Sequence, residues 1–509
     1  VLLCLLSIAV SQTDAATCNP LLVPCRTSDA LSTQFIIDEL PNTLSPPNSP
    51  KERAVLEALL QIDLFFTSTQ VDLLKHSNAV DQLRVAYKLY STQNEWDDEA
   101  KMRFFVALVA EEAIDKLPPN TSRDIRGTIL ESICPLRENE ECASTKYRSL
   151  DGVCNNVRHT DWGAAYSRLQ RYLPSIYPHT IAGQPTHPHL PSSRLVSSRL
   201  FKQQGNPPEI RLTQLVAHFA HYVYADLVQL SKPRIDTDSG SHALPCCDPA
   251  MKHPECTSID VAANDTRFLG FIRCMPYART SSAPNRGCDM GERQQANLAT
   301  SFLDASLLYG NEDRLAMRLR AKSHGLLLTT YSSSADFSLP MDGPKSHCAD
   351  GARSCFLGGS NQINFLPTTA ALHTIWLRQH NRIVKELEEM NSHWSDTKLY
   401  QEARRIVVAQ LQHVTYNEWL PVLMSREIWA EYKLKGERSG YTSGYSTSVD
   451  PSVLNSYAAV VGQFFFTMFG NRLQHFDALD RPVLDRPLSE IFNDPASLFL
   501  SDNIAGLIR

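Results

Sequence analysis

A mainly α-helical domain with long, disulfide-tied loops is the fold class this chain predicts, and three observations predict it. Apolar residues recur at helical spacing over 211–231, 369–391, 398–420 and 453–469. Strand-like alternation is scarce throughout. The cysteines fall in close pairs between these segments. Thirty prolines against 21 glycines favour extended connections over a regular βαβ pattern. With 509 residues, 43% hydrophobic and 20% charged, the chain can bury at least one large core.

Residues 1–16 read as a partial secretory signal. The apolar run VLLCLLSIAV leads to a small-x-small site, Ala9-Val10-Ser11, and is too short to span a bilayer. No later stretch reaches membrane-helix length, and the segment predicts a secreted protein. Residues 17–140 read as a helical N-terminal or pro-like region. In it the linker-like PNTLSPPNSP precedes two helical patterns, ERAVLEALLQIDLFF and DDEAKMRFFVALVAEEAIDKL, which stop at Pro118-Pro119. The Pro- and Ser-rich stretch 183–209 reads as irregular. The four long helical segments follow, with no internal repeat.

A formal net charge of −6 and a pI near 6.3 give no basis for nucleic acid or an anionic membrane as partner. Of 13 cysteines, one (Cys4) lies in the signal, leaving an even set. Cys142/Cys154, the Cys246-Cys247 doublet with Cys256, Cys274/Cys288 and Cys348/Cys355 suit local disulfide loops, with connectivity open. No tight C-x-x-C pair suggests zinc. Two sequons, at Asn120 and Asn264, suit a glycosylated extracellular surface.

One loop carries metal-ligand chemistry. In Thr300-Ser-Phe302-Leu-Asp304-Ala-Ser306, four residues two apart would, on an extended segment, aim oxygens to one side. Calcium takes six to eight hard oxygens from carboxylates, hydroxyls and carbonyls, and Phe302 can offer only its carbonyl. On spacing alone an ordinary polar loop explains the same residues.

The order of motifs goes further. Tyr147-Arg148-Ser-Leu-Asp151-Gly152-Val-Cys154-Asn155-Asn156 with Trp162-Gly163, the CC…HPEC run at 246–256, and Cys274-Met-Pro-Tyr277 come first. NLATSFLDASLLYG at 297–310, LHTIWLRQHNRIVKEL at 372–387 and YQEARRIVVAQLQHVTYNEWLP at 400–421 follow. From 141 to the end the chain resembles the animal haem peroxidases, the peroxinectin and chorion-peroxidase branch more than myeloperoxidase. The resemblance implies a helical fold with haem between a distal and a proximal helix. It also implies a domain over 141–509 that stops short of the family's C-terminus. It adds Asp226 to Thr300, Phe302, Asp304 and Ser306 as the calcium ligand set.

At the redox positions the chain departs from the family. Anchored on Asp226-Leu227, the resemblance places His221 where the family has Gln, Tyr224 at the haem-esterifying Asp, and Ala225 at the distal His. Between Cys355 and Pro367, Gln362 replaces the catalytic Arg and Phe365 the haem-linking Glu. Gln463 replaces the iron-ligating His. A positioned base contributes roughly 10²–10⁴-fold to such proton transfer, which a methyl group cannot supply. A neutral amide is a poor axial ligand beside imidazole. His221 shares a helix face with His218 and Ala225 and lies about 6 Å up the axis from the lost position, so it is the one candidate for a displaced base. His475, if helical, lies roughly 18 Å beyond Gln463, too far to serve as axial ligand. His373 and His380 match structural positions.

The sequence therefore predicts a secreted, calcium-binding pseudoperoxidase, with haem b unlikely, bound to an unknown extracellular or matrix partner. No RGD or KGD tripeptide suggests an integrin. The enzyme alternative is an extracellular peroxidase reducing hydrogen peroxide with phenolic or halide donors through unusual haem ligation.

Overall fold

The helices that carry the architecture are α1 (Asp98–Ile114), α2 (Ser193–Leu200), α3 (Leu215–Leu227), α4 (Ser306–Tyr309), α5 (Pro367–Met390), α6 (Asp396–His413) and α7 (Asn455–Ala459). This computed structural model describes residues 49–59, 61, 98–134, 142, 146–177, 191–200, 211–231, 234–237, 240–248, 255–268, 270–331, 337–342, 355–436, 440, 444–477, 479 and 481–494. All of them belong to one unit, Thr43–Arg509; a separate unit, Val1–Asn42, contains none. The expected signal at 1–16 and much of 17–140 thus lie outside the described residues.

The long helices form for local reasons. Pro367 sits in the first turn of α5, where a missing N–H costs nothing. The Ser395 hydroxyl accepts the Lys398 N–H at the start of α6, and Asp396 adds a favourable charge there. After His413 the chain widens into a π-turn, Val414–Trp419, and the Trp419 indole N–H reaches the Val216 carbonyl of α3 at 3.0 Å. One core is shared by α3, α4, α5 and α6 and includes Tyr222, Leu307, Leu377, Val384 and Val407, all buried. A second joins α3 to α7 through Ala220, Tyr224, Ala458 and Phe465. The fold is mainly α-helical, as expected.

Strands are short. β1 (Ser167–Arg168), β2 (Ser282–Ala283) and β3 (Gln294–Asn297) form an antiparallel sheet in the order β1-β3-β2, with Arg168 opposite Ala296 and Ala283 opposite Gln294. A hairpin pairs β4 (Arg472–Phe476) with β5 (Pro482–Pro487).

Three expectations need correction. The helix expected over 453–469 breaks at Val460 (φ −135°, ψ −66°) and resumes as a 3-10 stretch, Val461–Thr467. Two β-branched residues followed by a glycine weaken the helix there, and a side chain at Gly462 would lie 2.8 Å from Tyr457. His475, extrapolated along that helix, stands instead on β4 and is buried. Within the stretch expected to be irregular, 193–200 is helical, held by a two-pronged Arg194–Asp265 ion pair at 2.7 and 3.0 Å.

The disulfides match the spacing only in part. Cys142–Cys154 and Cys246–Cys256 are local loops. Cys274 and Cys288 do not pair with each other: Cys247 joins Cys274, and Cys134 joins Cys288 across 154 residues. Cys355 is disulfide-bonded, and Cys348 lies outside the described residues.

The Cys134–Cys288 bond staples the N-terminal region to the rest. Arg293, 1% exposed, forks onto Glu255 at 2.8 and 2.7 Å and reaches Glu111 of α1 at 3.6 Å. A protease cut between Cys134 and Cys142 should therefore separate the two pieces on a reducing gel and leave them together on a non-reducing one. Burial above all, against the pull of Arg293, pushes Glu111 up to about 7 from an ordinary 4.5. An acid raised in the folded state takes up its proton on folding, so stability falls as pH rises from about 4.5 to about 7. Glu111→Gln should flatten that slope, an effect on the order of 1–3 kcal/mol. Melting both proteins at pH 5 and pH 7.5 checks it; equal pH dependence would count against this role.

Candidate functional site

Asp226, fully buried near the end of α3, organises the 300–306 loop. Its Oδ2 accepts the Ala305 N–H at 3.2 Å and its Oδ1 the Leu307 N–H at 3.0 Å. The Ser306 hydroxyl lies 2.7 Å from the Asp226 carbonyl oxygen and 3.3 Å from Oδ1. On the other side, the Thr300 hydroxyl lies 2.8 Å from Asp304 Oδ2 and 3.3 Å from the Phe302 carbonyl. The loop is not the extended segment expected from the spacing. It curls through an Asp304 N–H to Phe302 carbonyl bond of 2.9 Å and turns left-handed at Ala305 (φ 59°). Curling brings together what alternation alone would have only aligned.

Two buried carboxylates in one knot are costly. Burial pushes both above the ordinary range, and the charge of Asp304 raises Asp226 further. Asp304 Oδ1 is buried and has no hydrogen-bond partner among the described residues. Among those residues, no cluster of three or more His, Cys, Asp and Glu side chains can hold a metal. The donor set is instead two carboxylates, two hydroxyls and a carbonyl, which suits a hard oxygen-seeking cation such as calcium. These residues fit calcium.

The surroundings support the loop. Gly163, at φ 76°, receives the Ser301 N–H on its carbonyl at 2.8 Å; a Cβ there would lie 2.8 Å from Pro451 and 3.1 Å from the Phe302 ring. Arg404 of α6 is buried, donates to the Arg148 and Ser149 carbonyls at 2.8 and 3.0 Å, and opposes the rise of Asp304 by its charge. Sequence reasoning missed Arg404, because an Arg-Arg pair inside an amphipathic helix reads as a solvated face.

Gln463 lies against α3. Its Nε2 donates to the Tyr224 hydroxyl at 3.1 Å and to the Ala458 carbonyl at 3.2 Å, while the Tyr224 hydroxyl donates to that same carbonyl at 2.7 Å. His221 packs against Phe465 and Phe365, with ring centroids 5.1 and 5.2 Å away, and Phe466 at 6.3 Å. The structure brings His221, Tyr224, Phe365 and Gln463 into this contact. Gln362 is elsewhere in role: its Nε2 donates to the Val228 carbonyl at 3.0 Å and closes the end of α3. Ala225, 1% exposed, belongs to the larger core with Leu307 and Ile363. A planar macrocycle between two groups needs two van der Waals contacts, about 7 Å of separation. The Tyr224–Gln463 bridge spans less than half of that, so these two side chains, as placed, leave no room for a macrocycle between them.

His221 is not placed as a base. Its Nδ1 lies 2.9 Å from the Thr369 hydroxyl, and burial pulls it down to about 3, leaving it neutral and weakly basic. His218 is similarly satisfied, with Thr368 Oγ1 at 2.9 Å and Phe469 stacked at 4.8 Å. His380 holds the Tyr309 hydroxyl and the Gly325 carbonyl, a structural role.

The family model described as "Animal haem peroxidase" matches residues 147–509. The chain belongs to the animal haem peroxidase family. Among the family's curated members, it is 32% identical to "Peroxidasin" of Drosophila melanogaster over 67% of this chain and 23% of that protein. It is 32% identical to "Chorion peroxidase" of Aedes aegypti over 69% of this chain and 46% of that one. It is 33% identical to human "Probable oxidoreductase PXDNL" over 66% and 24%. The chain thus spans less than half the length of these relatives. Among solved structures, Peroxidase A from Dictyostelium discoideum aligns with a TM-score of 0.55 at 22% identity, covering 72% of this chain and 68% of that one. A fatty acid alpha-dioxygenase from Arabidopsis thaliana aligns at 0.52 and 13% identity, covering 90% and 69%. Both likenesses concern the fold alone. Among the described residues no helix is long and apolar enough to cross a membrane.

Proposed function

We propose that this chain is a secreted, calcium-stabilised member of the family that has lost its redox centre and acts by binding or scaffolding in an extracellular setting. The observation that carries this reading is the Tyr224–Gln463–Ala458 bridge, which ties the distal helix to the proximal segment where haem would be held. The aromatic packing of His221, Phe365, Phe465 and Phe466 supports it. Asp226 and Asp304, with the Thr300 and Ser306 hydroxyls and the Phe302 carbonyl, would hold calcium. The ion would supply a fixed charge that neutralises the buried carboxylates and joins α3 to the 300–306 loop. That role serves the fold whether or not redox chemistry survives.

Extracellular location rests on the signal-like N-terminus and on disulfides, which persist in oxidising compartments. Both sequon asparagines, Asn120 and Asn264, are exposed and suit glycosylation. The partner is an unidentified matrix or surface molecule.

The relatives' names favour a second reading, an active haem peroxidase using hydrogen peroxide. It requires α3 to part from the 461–467 segment. Purification from cells supplied with haem separates the two. The first reading expects Soret absorbance well below one haem per chain and no guaiacol oxidation. A stoichiometric band with turnover would establish the second.

A further inference from the structure

We propose that the cleft between β1, the 284–289 turn and the 450–452 loop is an oxyanion-binding site, with Arg168 as its primary contact for a sulfate, phosphate or carboxylate group. The inference stands apart from the haem and calcium readings, since it uses none of their residues. The cleft encloses about 470 Å³, a size that suits a small ligand or one sugar unit of a larger chain.

The charges in it do not close. Arg103 reaches Asp161 at 3.7 Å, and Arg286 pairs with Asp450 Oδ2 at 3.0 Å. The other Asp450 oxygen accepts the Ser452 N–H at 3.0 Å. Arg168 is left. Its backbone pairs with Ala296 in the sheet, but its half-buried guanidinium has no hydrogen bond or ion pair among the described residues. Burial above all, with the two further cations Arg286 and Arg171, holds its pKa below the usual arginine value, against the opposing pull of the single carboxylate of Asp450. Asp289 on the rim is exposed and is not among the charges acting on it. A partly desolvated cation without an acceptor is costly, and a planar guanidinium is shaped to take two oxygens of one anion.

The wall beside it is preformed. Trp162 is stacked on His159 with ring centroids 3.8 Å apart, and Arg286 lies over its ring at 5.3 Å. The Arg286 side chain is 57% exposed, so it can turn toward a bound anion while keeping Asp450. One guanidinium in the cleft and one at its mouth make a two-point clamp for an oxyanion.

The test is titration of the full-length protein with sodium sulfate, sodium phosphate and sodium glucuronate at matched ionic strength, read by melting temperature and calorimetry. Saturable binding of at least one probe is expected, weakened tenfold or more in Arg168→Gln and partly retained in Arg168→Lys. Preference for sulfate, for phosphate or for glucuronate identifies the source of the anion, and each supports the site. Unliganded Arg168→Gln should melt at or above the wild-type temperature, because it removes an unpaired charge. The proposal is overturned if no probe binds saturably, if Arg168→Gln binds as well as wild type, or if the unliganded variant melts several degrees lower.

Discussion

Placing the family's expected redox side chains together, Ala225→His, Gln362→Arg and Gln463→His, should still yield a protein without stoichiometric haem and without measurable peroxide turnover. Supplying the base, the cation and the axial ligand would ordinarily regain several orders of magnitude, since a positioned base alone contributes roughly 10²–10⁴-fold. Here they would arrive at a place already filled. Phe465 is fully buried between α3 and α7, and the burial of one such side chain is worth about 1.5–3 kcal/mol. Gln463→His itself removes one partner of the Tyr224 hydroxyl, and porphyrin entry would cost the remaining bond to the Ala458 carbonyl, about 1 kcal/mol. Porphyrin binding must overcome these contacts before any iron–imidazole bond forms. Adding Tyr224→Asp and Phe365→Glu removes ring bulk from both sides and should raise haem uptake above that of the triple variant. Absorbance spectra of the two variants decide the matter: one haem per chain in the triple variant would sink the closed-slot account.

Calcium should have the opposite character, a large effect on stability and none on oxidation. At a calcium concentration a hundredfold above Kd, the ion adds about 2.7 kcal/mol to the folded state, and chelation should lower the melting temperature accordingly. Asp304→Asn should abolish the response. It should also make the metal-free protein more stable than metal-free wild type at neutral pH, because it removes a charge buried beside a second carboxyl group. That crossing of the two melting curves distinguishes a metal ligand from a residue that merely packs well. If the chelator leaves wild type unchanged, the Asp226–Asp304 assignment fails.

The contrast between these sites tracks what the sequence made legible. The candidate calcium donors of the 300–306 loop are close in sequence, so their oxygen-rich chemistry could be read directly, although the curl at Ala305 could not. α5 and α6 announced themselves through long amphipathic runs with a proline and a serine at their starts. The break at Val460 depends on Gly462 meeting Tyr457, a tertiary fact that periodicity does not record. The Cys134–Cys288 bond was hidden for the same reason: its halves lie 154 residues apart, while closer cysteines offered plausible partners. Arg404 looked like surface because its acceptors, two backbone carbonyls, carry no signature in the sequence. The resemblance let the expected haem positions be compared residue by residue, but the packing of Phe365, Phe465 and Phe466 around His221 could not be read that way.

The hydrogen bond from Gln463 to Tyr224 joins positions 239 residues apart, and this has an evolutionary consequence. On the proposed reading, a chain acquiring histidine at 463 alone would give up a part-buried hydrogen bond and receive no cofactor in return. Changing Tyr224 alone would take one of the Gln463 amide's two acceptors and leave the Ala458 carbonyl. Under the proposed loss of the redox centre, the bridge would act as a ratchet, and descendants of this chain would diversify their surfaces far more readily than they gain oxidation chemistry.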